Sequence, residues 1–414
     1  MRQSLLFTEA KREAPKDEVS LNAKLLIQAG FIKKEMAGVY SFLPLGLKVL
    51  KKIENIIREE MNAVGGQEIL MPALQPKEPW QKTGRFETMT DLFKLKDMAD
   101  RDFVLGPTHE EIVVPLAAEF INSYKDLPFA VYQIQGKFRS ELRAKSGLLR
   151  GREFIMKDMY SFHRDPEDLQ KFYDLVAKSY KKIFDRVGIG EKTFITFASG
   201  GTFSKYSHEF QTLTPYGEDT IYLDKKKNLA VNKEVFNDAV LEDIGLERRD
   251  LIEEKSIEVG NIFLLKVKFT EAFGVKYKNE KGECQPVFMG CYGIGLPRLM
   301  GTVVEVLADD KGLVWPKGIA PFLVHLVALQ PGVLPQAEKI YEELSKQNRE
   351  VLFDDRSLAS PGEKLVESDL LGLPVRLVLS ERNKDKIEVK LRNEAESKLL
   401  SQSGALKFVK EYAG

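Results

Sequence analysis

The alternation of hydrophobic and polar residues along the chain predicts its first elements. From Val131 to Glu141 the apolar side chains share one face and the polar side chains share the other, and Arg152 to Phe162 behaves similarly. A period of two residues is typical of a β-strand with one buried face. The loop LRAKSGLLRG separates the two segments, so the pattern predicts an antiparallel hairpin.

Other stretches repeat their apolar residues at helical spacing. Apolar residues between Leu47 and Val64 recur every three or four positions, and Gly65-Gly66 ends that run. Asp165-Pro166 supplies a cap and a first-turn proline for a second long helix. A third helix is predicted from Thr108 towards Asn122. The segment QEILMP, which ends at Pro72, is predicted to be a short strand.

The rhythm changes after Phe322, where short strands and helices alternate. The predicted strands are FLVHLVAL, EVLFDD, VRLVLS and KIEVKLR, and the predicted helices are PQAEKIYEELSKQ, PGEKLVESDLLG and a final one near Ala405 to Tyr412. Such alternation favours a small, separate α/β domain. We therefore predict a first domain over residues 1–317 and a second over residues 318–414.

Composition narrows the class of protein. Hydrophobic residues make up 43% of the chain, which is enough for buried cores and excludes disorder as the main state. Cys284 and Cys291 are too few for a disulfide framework, and with four histidines they match no zinc spacing. Neither the N-terminal segment nor any apolar run is long enough for a signal peptide or a membrane helix. We expect a soluble, cytoplasmic protein with no membrane partner.

Charge is balanced over the whole chain but not locally. With 62 basic and 62 acidic residues, the net charge gives no reason to expect a nucleic-acid partner. Between Lys137 and Lys157, however, seven basic residues face only two acidic ones. A solvated hairpin with scattered charge would explain this. Arginines on the polar face of a strand, below a basic loop, also suit a polyphosphate or a nucleic acid.

Two further segments are candidates for ligand binding at the N-terminus of a helix. Glycines in the segment 290–298 follow a predicted strand and lead into a predicted helix, where a backbone can approach a phosphate and Arg298 can contact it. The acidic residue of a dinucleotide-binding fingerprint does not follow. GPTHEE, residues 106–111, is on its chemistry alone better explained as an ordinary helix cap.

No pair of nucleophile and base stands out in the sequence. The GxSxG and HExxH patterns are missing, and neither cysteine has a papain-like context. An enzyme of this sequence would work by positioning and charge stabilisation, as in phosphoryl or nucleotidyl transfer.

Taken in order, these segments resemble the class II aminoacyl-tRNA synthetases, in particular the bacterial-type prolyl-tRNA synthetases of class IIa. The region ending in QEILMP resembles motif 1, FRSELRAKSGLLRGREF resembles motif 2 and MGCYGIGLPRL resembles motif 3. GPTHEE is similar to the proline-recognition loop of the family, and SHEFQ, EVGNIF, GLVWPKGIAP, FDDR and PGEK to further stretches. The resemblance covers nearly the whole chain. It implies an α+β catalytic domain, with an antiparallel sheet and flanking helices, followed by an α/β anticodon-binding domain.

The resemblance also implies a reaction and its nucleotide site. Proline and ATP would give prolyl-adenylate and pyrophosphate, and tRNA(Pro) would then receive the prolyl group at its 3′ end. Arg139 would bridge the proline carboxylate and the α-phosphate, and Arg298 would bind the γ-phosphate. The further residues expected around ATP are Glu141, Arg150, Gly151 and Gln211. Mg²⁺ would add positive charge without dedicated protein ligands, and no zinc is expected.

The proline site follows from the same resemblance. A prolinium nitrogen presents two N–H bonds and a positive charge, which the Thr108 hydroxyl and the Glu110 carboxylate can satisfy. Around the ring of the amino acid we expect Phe162, His163, His208 and Cys291. Cys291 would pack against the ring as a small, soft side chain, not act as a nucleophile.

The resemblance assigns tRNA contacts to two regions. Arg143 and Lys145 of the motif 2 loop would meet the acceptor end. In the C-terminal domain, charged side chains can read unstacked bases of the anticodon loop; the candidates are Asp354, Asp355, Arg356, Glu363 and Lys364. A homodimer through the motif 1 region is also implied.

The chain departs from many bacterial members of the family at one place. They carry a large editing domain between motifs 2 and 3, whereas here residues 224–256 are too few for an independent core. We expect a short mixed remnant there and no hydrolysis of mischarged tRNA. A separate protein could supply such editing. The lengthened loop over residues 199–208 has no explanation from the sequence.

Two other readings remain open at this point. A non-catalytic, synthetase-like tRNA-binding protein would not need Arg139, Glu141 and Arg298 together. A class IIa enzyme for threonine would use zinc to read the hydroxyl of its substrate, and no suitable set of cysteines and histidines is present.

Overall fold

A computed structural model describes residues 1–142, 144, 146–200 and 206–414. Its α-helices are α1 Leu21–Gln28, α2 Pro44–Ala63, α3 Lys77–Lys82, α4 Arg85–Thr88, α5 Glu110–Ala118, α6 Pro166–Arg186, α7 Asp238–Ile244, α8 Lys268–Ala272, α9 Leu296–Leu307, α10 Leu334–Lys346, α11 Pro361–Leu371 and α12 Gln402–Ala413. None of the described helices is long and apolar enough to cross a membrane.

The strands of the described chain are short, with a few long exceptions. They are β1 Ile32–Met36, β2 Val39–Phe42, β3 Gly66–Glu68, β4 Leu74–Pro76, β5 Phe93–Lys96, β6 Asp102–Leu105, β7 Phe129–Phe138, β8 Glu153–His163, β9 Thr193–Ser199, β10 Tyr206–Leu213, β11 Asp219–Asp224, β12 Leu229–Asn232, β13 Ile252–Lys266, β14 Lys276–Lys278, β15 Cys284–Pro286, β16 Phe288–Gly295, β17 Val324–Ala328, β18 Val351–Asp354, β19 Val375–Leu379, β20 Lys386–Leu391 and β21 Lys398–Ser401.

The chain divides into two compact units. The central unit comprises Met36–Val39 and Glu54–Thr302, and the terminal unit comprises Met1–Glu35, Tyr40–Ile53 and Val303–Gly414. The predicted boundary between residues 317 and 318 stays a prediction, because the units are defined by contacts and not by function.

The central unit is built on a sheet of nine described strands in the order β10-β9-β12-β11-β13-β16-β8-β7-β3. Its neighbours are antiparallel except for the pairs β3–β7 and β9–β12. The predicted hairpin is confirmed, since β7 and β8 pair from Phe129 opposite Phe162 to Phe138 opposite Glu153. α6 packs on one face of this sheet, and its predicted cap is present: the Asp165 carboxylate accepts a hydrogen bond from the backbone N–H of Asp168 at 2.8 Å.

Two predicted elements have different bounds in the structure. The strand predicted to end at Pro72 ends at Glu68. The N–H of Ile69 still donates to the carbonyl of Tyr132 on β7 at 2.8 Å, but at Met71 a side chain of β7 replaces the backbone as partner, and the N–H of Met71 donates to Gln133 Oε1 at 3.0 Å. The helix predicted from Thr108 begins at Glu110 instead, and the Thr108 hydroxyl makes no capping bond.

The segment expected as a remnant, residues 224–256, is integrated into the central sheet. It contributes β12, α7 and the start of β13, and β12 lies between β9 and β11. Val231, Val240 and Leu241 form a small buried cluster there. Because its strand completes the sheet, this segment is a part of the central core and not an appendage.

The terminal unit contains the α/β arrangement predicted after Phe322. Its five-stranded sheet has the order β18-β17-β19-β20-β21, parallel over the first three strands and antiparallel over the rest. Strand β21 was not predicted.

The N-terminal residues pack on the same sheet, which the sequence did not indicate. The Gln3 amide is buried, donating to Glu367 Oε1 at 2.7 Å and accepting from His325 Nε2 at 3.0 Å. Burial lowers the pKa of His325 to about 4, so its ring is neutral and Nε2 carries the proton donated to Gln3.

Replacing Gln3 by alanine tests this attachment. The change leaves the buried Nε2–H of His325 without its acceptor, so we expect Gln3→Ala to lower the free energy of unfolding by about 1–3 kcal/mol. Urea denaturation measures it. The exposed Gln347→Ala is the matched control and should stay within about 0.5 kcal/mol of the unsubstituted chain. Equal stability of the two variants would contradict the prediction.

Candidate active site

A cleft of about 360 Å³ opens above one face of the central sheet. It is lined by eight of the residues that the sequence analysis predicted for the substrate sites, namely Thr108, Glu110, Arg139, Glu141, Arg150, Gly151, Cys291 and Arg298. They come from three distant parts of the chain: the start of α5, the hairpin β7–β8, and the junction of β16 and α9. The fold therefore brings the predicted segments together at one site.

The loop before α5 is held in place by three polar contacts. Gln75 Nε2 donates to the carbonyl of Thr108 at 3.2 Å, and the backbone N–H of His109 donates to the Tyr160 hydroxyl at 2.9 Å. His109 Nε2 donates to the carbonyl of Pro72 at 3.0 Å. Because each contact comes from a different element, the side chains of Thr108 and Glu110 have a fixed position at the cleft.

A buried ion pair lies beneath this loop. Lys137 Nζ, on β7, is 2.8 Å from Asp158 Oδ1 on β8 and 2.9 Å from His109 Nδ1, and all three side chains are almost fully buried. Burial and the adjacent Lys137 ammonium lower the pKa of His109 to about 4, so the ring is neutral and accepts from Lys137. The polar face of β7 is thus a buried floor beneath the cleft.

Three donors surround the Glu110 carboxylate. The Thr108 hydroxyl donates to Oε2 at 2.6 Å, Arg85 Nη1 donates to the same oxygen at 3.2 Å, and Cys291 Sγ donates to Oε1 at 3.2 Å. Burial, followed by the Glu110 charge, raises the pKa of the Cys291 thiol. Cys291 is therefore a neutral donor.

Arg85 and Glu111 were not singled out by the sequence. Arg85 Nη1 lies 3.0 Å from Glu111 Oε1, and its guanidinium sits 5.2 Å from the centre of the Trp80 ring. Burial raises the pKa of Glu111 to about 7, against the opposing effect of Arg85. The segment TGRF carries no motif that would have marked Arg85, and only its contact with α5 reveals it.

The two predicted arginines define the opposite part of the cleft. Arg139 lies over the Phe154 ring, 5.3 Å from its centre, and its Nε has no hydrogen-bond partner among the described residues. Burial and the nearby Arg298 lower the pKa of Arg139, which a bound anion would reverse. Arg298 donates through Nε to the carbonyl of Leu149 at 2.7 Å and through Nη1 to Glu258 Oε2 at 2.9 Å.

An acidic group adjoins Arg298 in a second cavity of about 460 Å³. Gln211 Nε2 donates to Glu209 Oε2 at 2.8 Å and to Asp219 Oδ2 at 3.0 Å, so Gln211 lies beside this cavity and not in the cleft itself. Burial raises the pKa values of Glu209 and Asp219. Across the described ranges, no three His, Cys, Asp or Glu side chains are placed to hold a metal ion by themselves.

Glu141 and Arg150 share the outer part of the cleft. Arg150 Nη1 lies 3.9 Å from Glu141 Oε1, and Arg150 Nε lies 3.5 Å from Glu218 Oε2. Arg143 and Lys145, which belong to the same loop, lie outside the described residues.

Three residues expected around the amino acid do not line the cleft. His163 and His208 point to the other face of the sheet: His163 Nδ1 is 3.0 Å from Asp168 Oδ2, and His208 Nδ1 is 2.6 Å from the Tyr173 hydroxyl, both on α6. The reason is that successive side chains of a strand alternate between faces. Phe162 is on the cleft side, but it is fully buried in the core and stacked on Phe129 at 5.0 Å.

Most of the residues expected to read the anticodon are engaged within the terminal unit. Asp354 is fully buried and accepts from Arg356 Nε at 2.9 Å, while Asp355 Oδ1 accepts from the backbone N–H of Ser4 at 3.0 Å. Lys364 is buried and donates to the carbonyl of Ala328 at 2.6 Å. Only Glu363 among these five candidates is exposed.

Comparisons with known families agree with this arrangement. Residues 93–307 match the family described as "tRNA synthetase class II core domain (G, H, P, S and T)", and residues 323–412 match the family "Anticodon binding domain". The fold resembles that of a Giardia lamblia prolyl-tRNA synthetase solved with prolyl-adenylate, with a TM-score of 0.79 and 21% identity, over 95% of this chain and 79% of that one.

Curated relatives are more similar in sequence. A proline–tRNA ligase of Anaplasma phagocytophilum is 40% identical over 400 residues, which are 92% of each chain. A proline–tRNA ligase of Dehalococcoides mccartyi is 35% identical over 97% of each chain. That alignment spans 552 positions, more than the 414 residues here, so the second relative contains a long segment that this chain lacks.

Replacing Lys137 by methionine tests the buried floor of the cleft. The change removes the cation that compensates the buried Asp158 carboxylate, so we expect Lys137→Met to lower the free energy of unfolding by about 3–5 kcal/mol. Lys171→Met, at an exposed position of α6, is the matched control. The double variant with Asp158→Asn should regain part of the loss. A single variant as stable as the control would show that the ion pair is not needed.

Proposed function

The chain belongs to the proline–tRNA ligase family of class II tRNA synthetases, and from this we infer that it activates proline with ATP and transfers it to tRNA(Pro). The observation that carries this inference is the 33–40% identity to proline–tRNA ligases over more than nine tenths of both chains. The cleft supports it with side chains of the right charge for each part of the two substrates.

We propose that Thr108 and Glu110 bind the prolinium nitrogen. The Thr108 oxygen and the Glu110 carboxylate lie 2.6 Å apart, close enough for one nitrogen with two N–H bonds to reach both. Cys291 donates to the other carboxylate oxygen, which places its small side chain next to this nitrogen. The ring of proline then lies against Cys291 and not against His163 or His208.

The chemistry requires little more than charge compensation and alignment. The carboxylate of proline is ionised at pH 7, so it needs no general base to attack the α-phosphate. Arg139 faces the carboxylate and the α-phosphate, and Arg298 binds the γ-phosphate. Both arginines are held before substrate arrives, Arg298 by Glu258 and Arg139 by the Phe154 ring, so their positive charges need no rearrangement as negative charge develops.

Mg²⁺ fits the acidic group beside Arg298. Carboxylate oxygens are its preferred protein ligands, and it is usually held by one or two of them together with phosphates and water. Glu258 and Asp219 would supply those oxygens. When bound, the ion adds positive charge at the phosphates. Glu141, Arg150, Gly151 and Gln211 are the remaining residues that we propose for ATP.

The same proposal assigns the tRNA contacts. The anticodon-binding domain, residues 323–412, receives the anticodon loop, and Glu363 is the exposed candidate within it. Arg143 and Lys145 would meet the acceptor end.

We also propose how the chain assembles and where it acts. Leu70, in the region that resembles motif 1, is exposed to 77%, and Leu74, just after that region, to 52%, which favours burial in a homodimer. We also propose a cytoplasmic location, where tRNA charging takes place, and a separate protein that edits mischarged tRNA.

Pyrophosphate exchange into ATP tests the activation step. We expect exchange that depends on proline and is far weaker with threonine, serine or alanine. Arg298→Ala should lower the rate by about 100- to 1,000-fold, as expected when one group that stabilises developing charge is lost. Arg382→Ala, at an exposed position of the terminal unit, is the control. A folded protein without proline-dependent exchange would instead favour a non-catalytic tRNA-binding protein.

Alanine provides a second test, which asks whether the chain, without the large editing domain, can remove a wrong amino acid from tRNA(Pro). Alanine is smaller than proline, so the pocket cannot exclude it sterically, and the lost ring contacts give only about 1–3 kcal/mol of discrimination. We expect measurable formation of Ala-tRNA(Pro) and no hydrolysis of it by this chain. The control is the same Ala-tRNA(Pro) incubated in buffer alone. Hydrolysis that is faster with the protein would refute the proposed lack of editing.

A further inference from the structure

Two adjacent carboxylates at the start of α5 share one guanidinium. Arg85 Nη1 lies 3.2 Å from Glu110 Oε2 and 3.0 and 3.1 Å from the two oxygens of Glu111. Glu110 is 2% exposed and Glu111 is fully buried. The cluster therefore combines one positive charge with two groups that can be negative, in a site shielded from water.

Among the described residues around Glu111, Arg85 is the one largely buried cation. At the end of α3, the Thr83 hydroxyl lies 2.8 Å from Glu111 Oε1 and 3.1 Å from the carbonyl oxygen of Trp80. From α4 comes Arg85, whose guanidinium also faces the Phe269 ring of α8 at 5.5 Å. Lys268 of α8 acts on Glu111 electrostatically, but its side chain is exposed and its charge is screened.

Two such carboxylates cannot both be ionised at little cost. When like charges share a buried site, the protonated form of one is favoured. Glu111 is the partner with an acceptor for a proton: the Thr83 hydroxyl can give its single hydrogen to the carbonyl of Trp80 and accept one from Glu111 Oε1, 2.8 Å away. Burial acts in the same direction and raises the pKa of the Glu111 carboxyl. Glu110 remains the acceptor of the bonds from Thr108 and Cys291, which orient it to the cleft.

We propose that Glu111 is a positioning residue that holds a proton while the cleft lacks an amino acid and releases it when the ammonium group of proline reaches Glu110. The step breaks the O–H bond of Glu111, and the proton passes to solvent. Proline then supplies the second positive charge, so that two cations balance two carboxylates. This inference rests on the proposed role of Glu110, and it adds a linkage between proline binding and pH.

The direction of the linkage follows from the charges. Bound prolinium favours the ionised form of Glu111, so proline binds more tightly once Glu111 has lost its proton. The dissociation constant for proline should fall with rising pH, by at most about tenfold per pH unit, and level off above neutrality. His109 does not contribute, since its pKa is about 4. Burial lowers the pKa of Lys157 to about 7, but Lys157 faces α6, where its Nζ donates to the Tyr180 hydroxyl at 2.6 Å.

Calorimetric titration with proline measures the released proton directly. At a pH near 6.5, the binding enthalpy is compared in buffers with different ionisation enthalpies, and the slope gives the number of protons released. We expect a substantial fraction of one proton for the unsubstituted chain and none for Glu111→Gln. Glu119→Gln, at the exposed end of α5, is the matched control and should release as many protons as the unsubstituted chain.

Two more variants keep the possible outcomes distinct. Glu110→Gln should lose proline binding; if it binds proline normally, the proposed function of Glu110 fails. If Glu110→Gln loses binding while Glu111→Gln still releases the proton, only the present inference is overturned. Arg85→Lys retains one cation and should keep the proton release with weaker proline binding.

A kinetic measurement serves if Glu111→Gln does not fold. In pyrophosphate exchange by the unsubstituted chain, the KM for proline should fall between about pH 5.5 and 7.5. A KM for proline that is independent of pH in this range would overturn the inference.

Discussion

The arrangement of the cleft depends on the ion pair that Lys137 and Asp158 form beneath it. Two charges buried in this way are costly to separate, because either one alone would lack compensation in a site without water. The pair joins β7 to β8, and through His109 it also joins both strands to the loop that carries Thr108 and Glu110. The residues that we propose to bind the amino acid are therefore fixed by groups outside the proposed binding site.

The distribution of charge in the cleft matches the ligands that we propose for it. Arg139 and Arg298 lie where we propose that the carboxylate and the phosphates bind, whereas Glu110 lies where we propose that the ammonium binds, with Glu111 and Arg85 beside it. Each group is held by partners from other segments of the chain. A net charge of zero over the chain thus conceals a positively charged region around Arg139 and Arg298.

Much of this was predictable from the sequence, and the exceptions have physical reasons. The hairpin and α6 were predicted because periodicity and caps are local properties of the sequence. The order of strands and helices after Phe322 was predicted for the same reason. Arg85 and Glu258 were missed because their partners lie 25 and 40 residues away, at separations that no local pattern reports. His163 and His208 were misplaced because a motif does not reveal which face of a strand its residues occupy. The integration of β12 into the central sheet was missed because short segments gain their stability from neighbouring strands and not from their own composition.

The attachment of Gln3 to His325 and Glu367 has a consequence for biosynthesis. Gln3 precedes His325 by 322 residues and Glu367 by 364 residues in the sequence. The N-terminal residues therefore leave the ribosome long before the surface that buries them exists. The terminal unit is therefore completed late, after the intervening central unit has been synthesised. Its closure pays the entropy of a very long loop, which makes its contact order high and its folding slow compared with that of α6 or the hairpin.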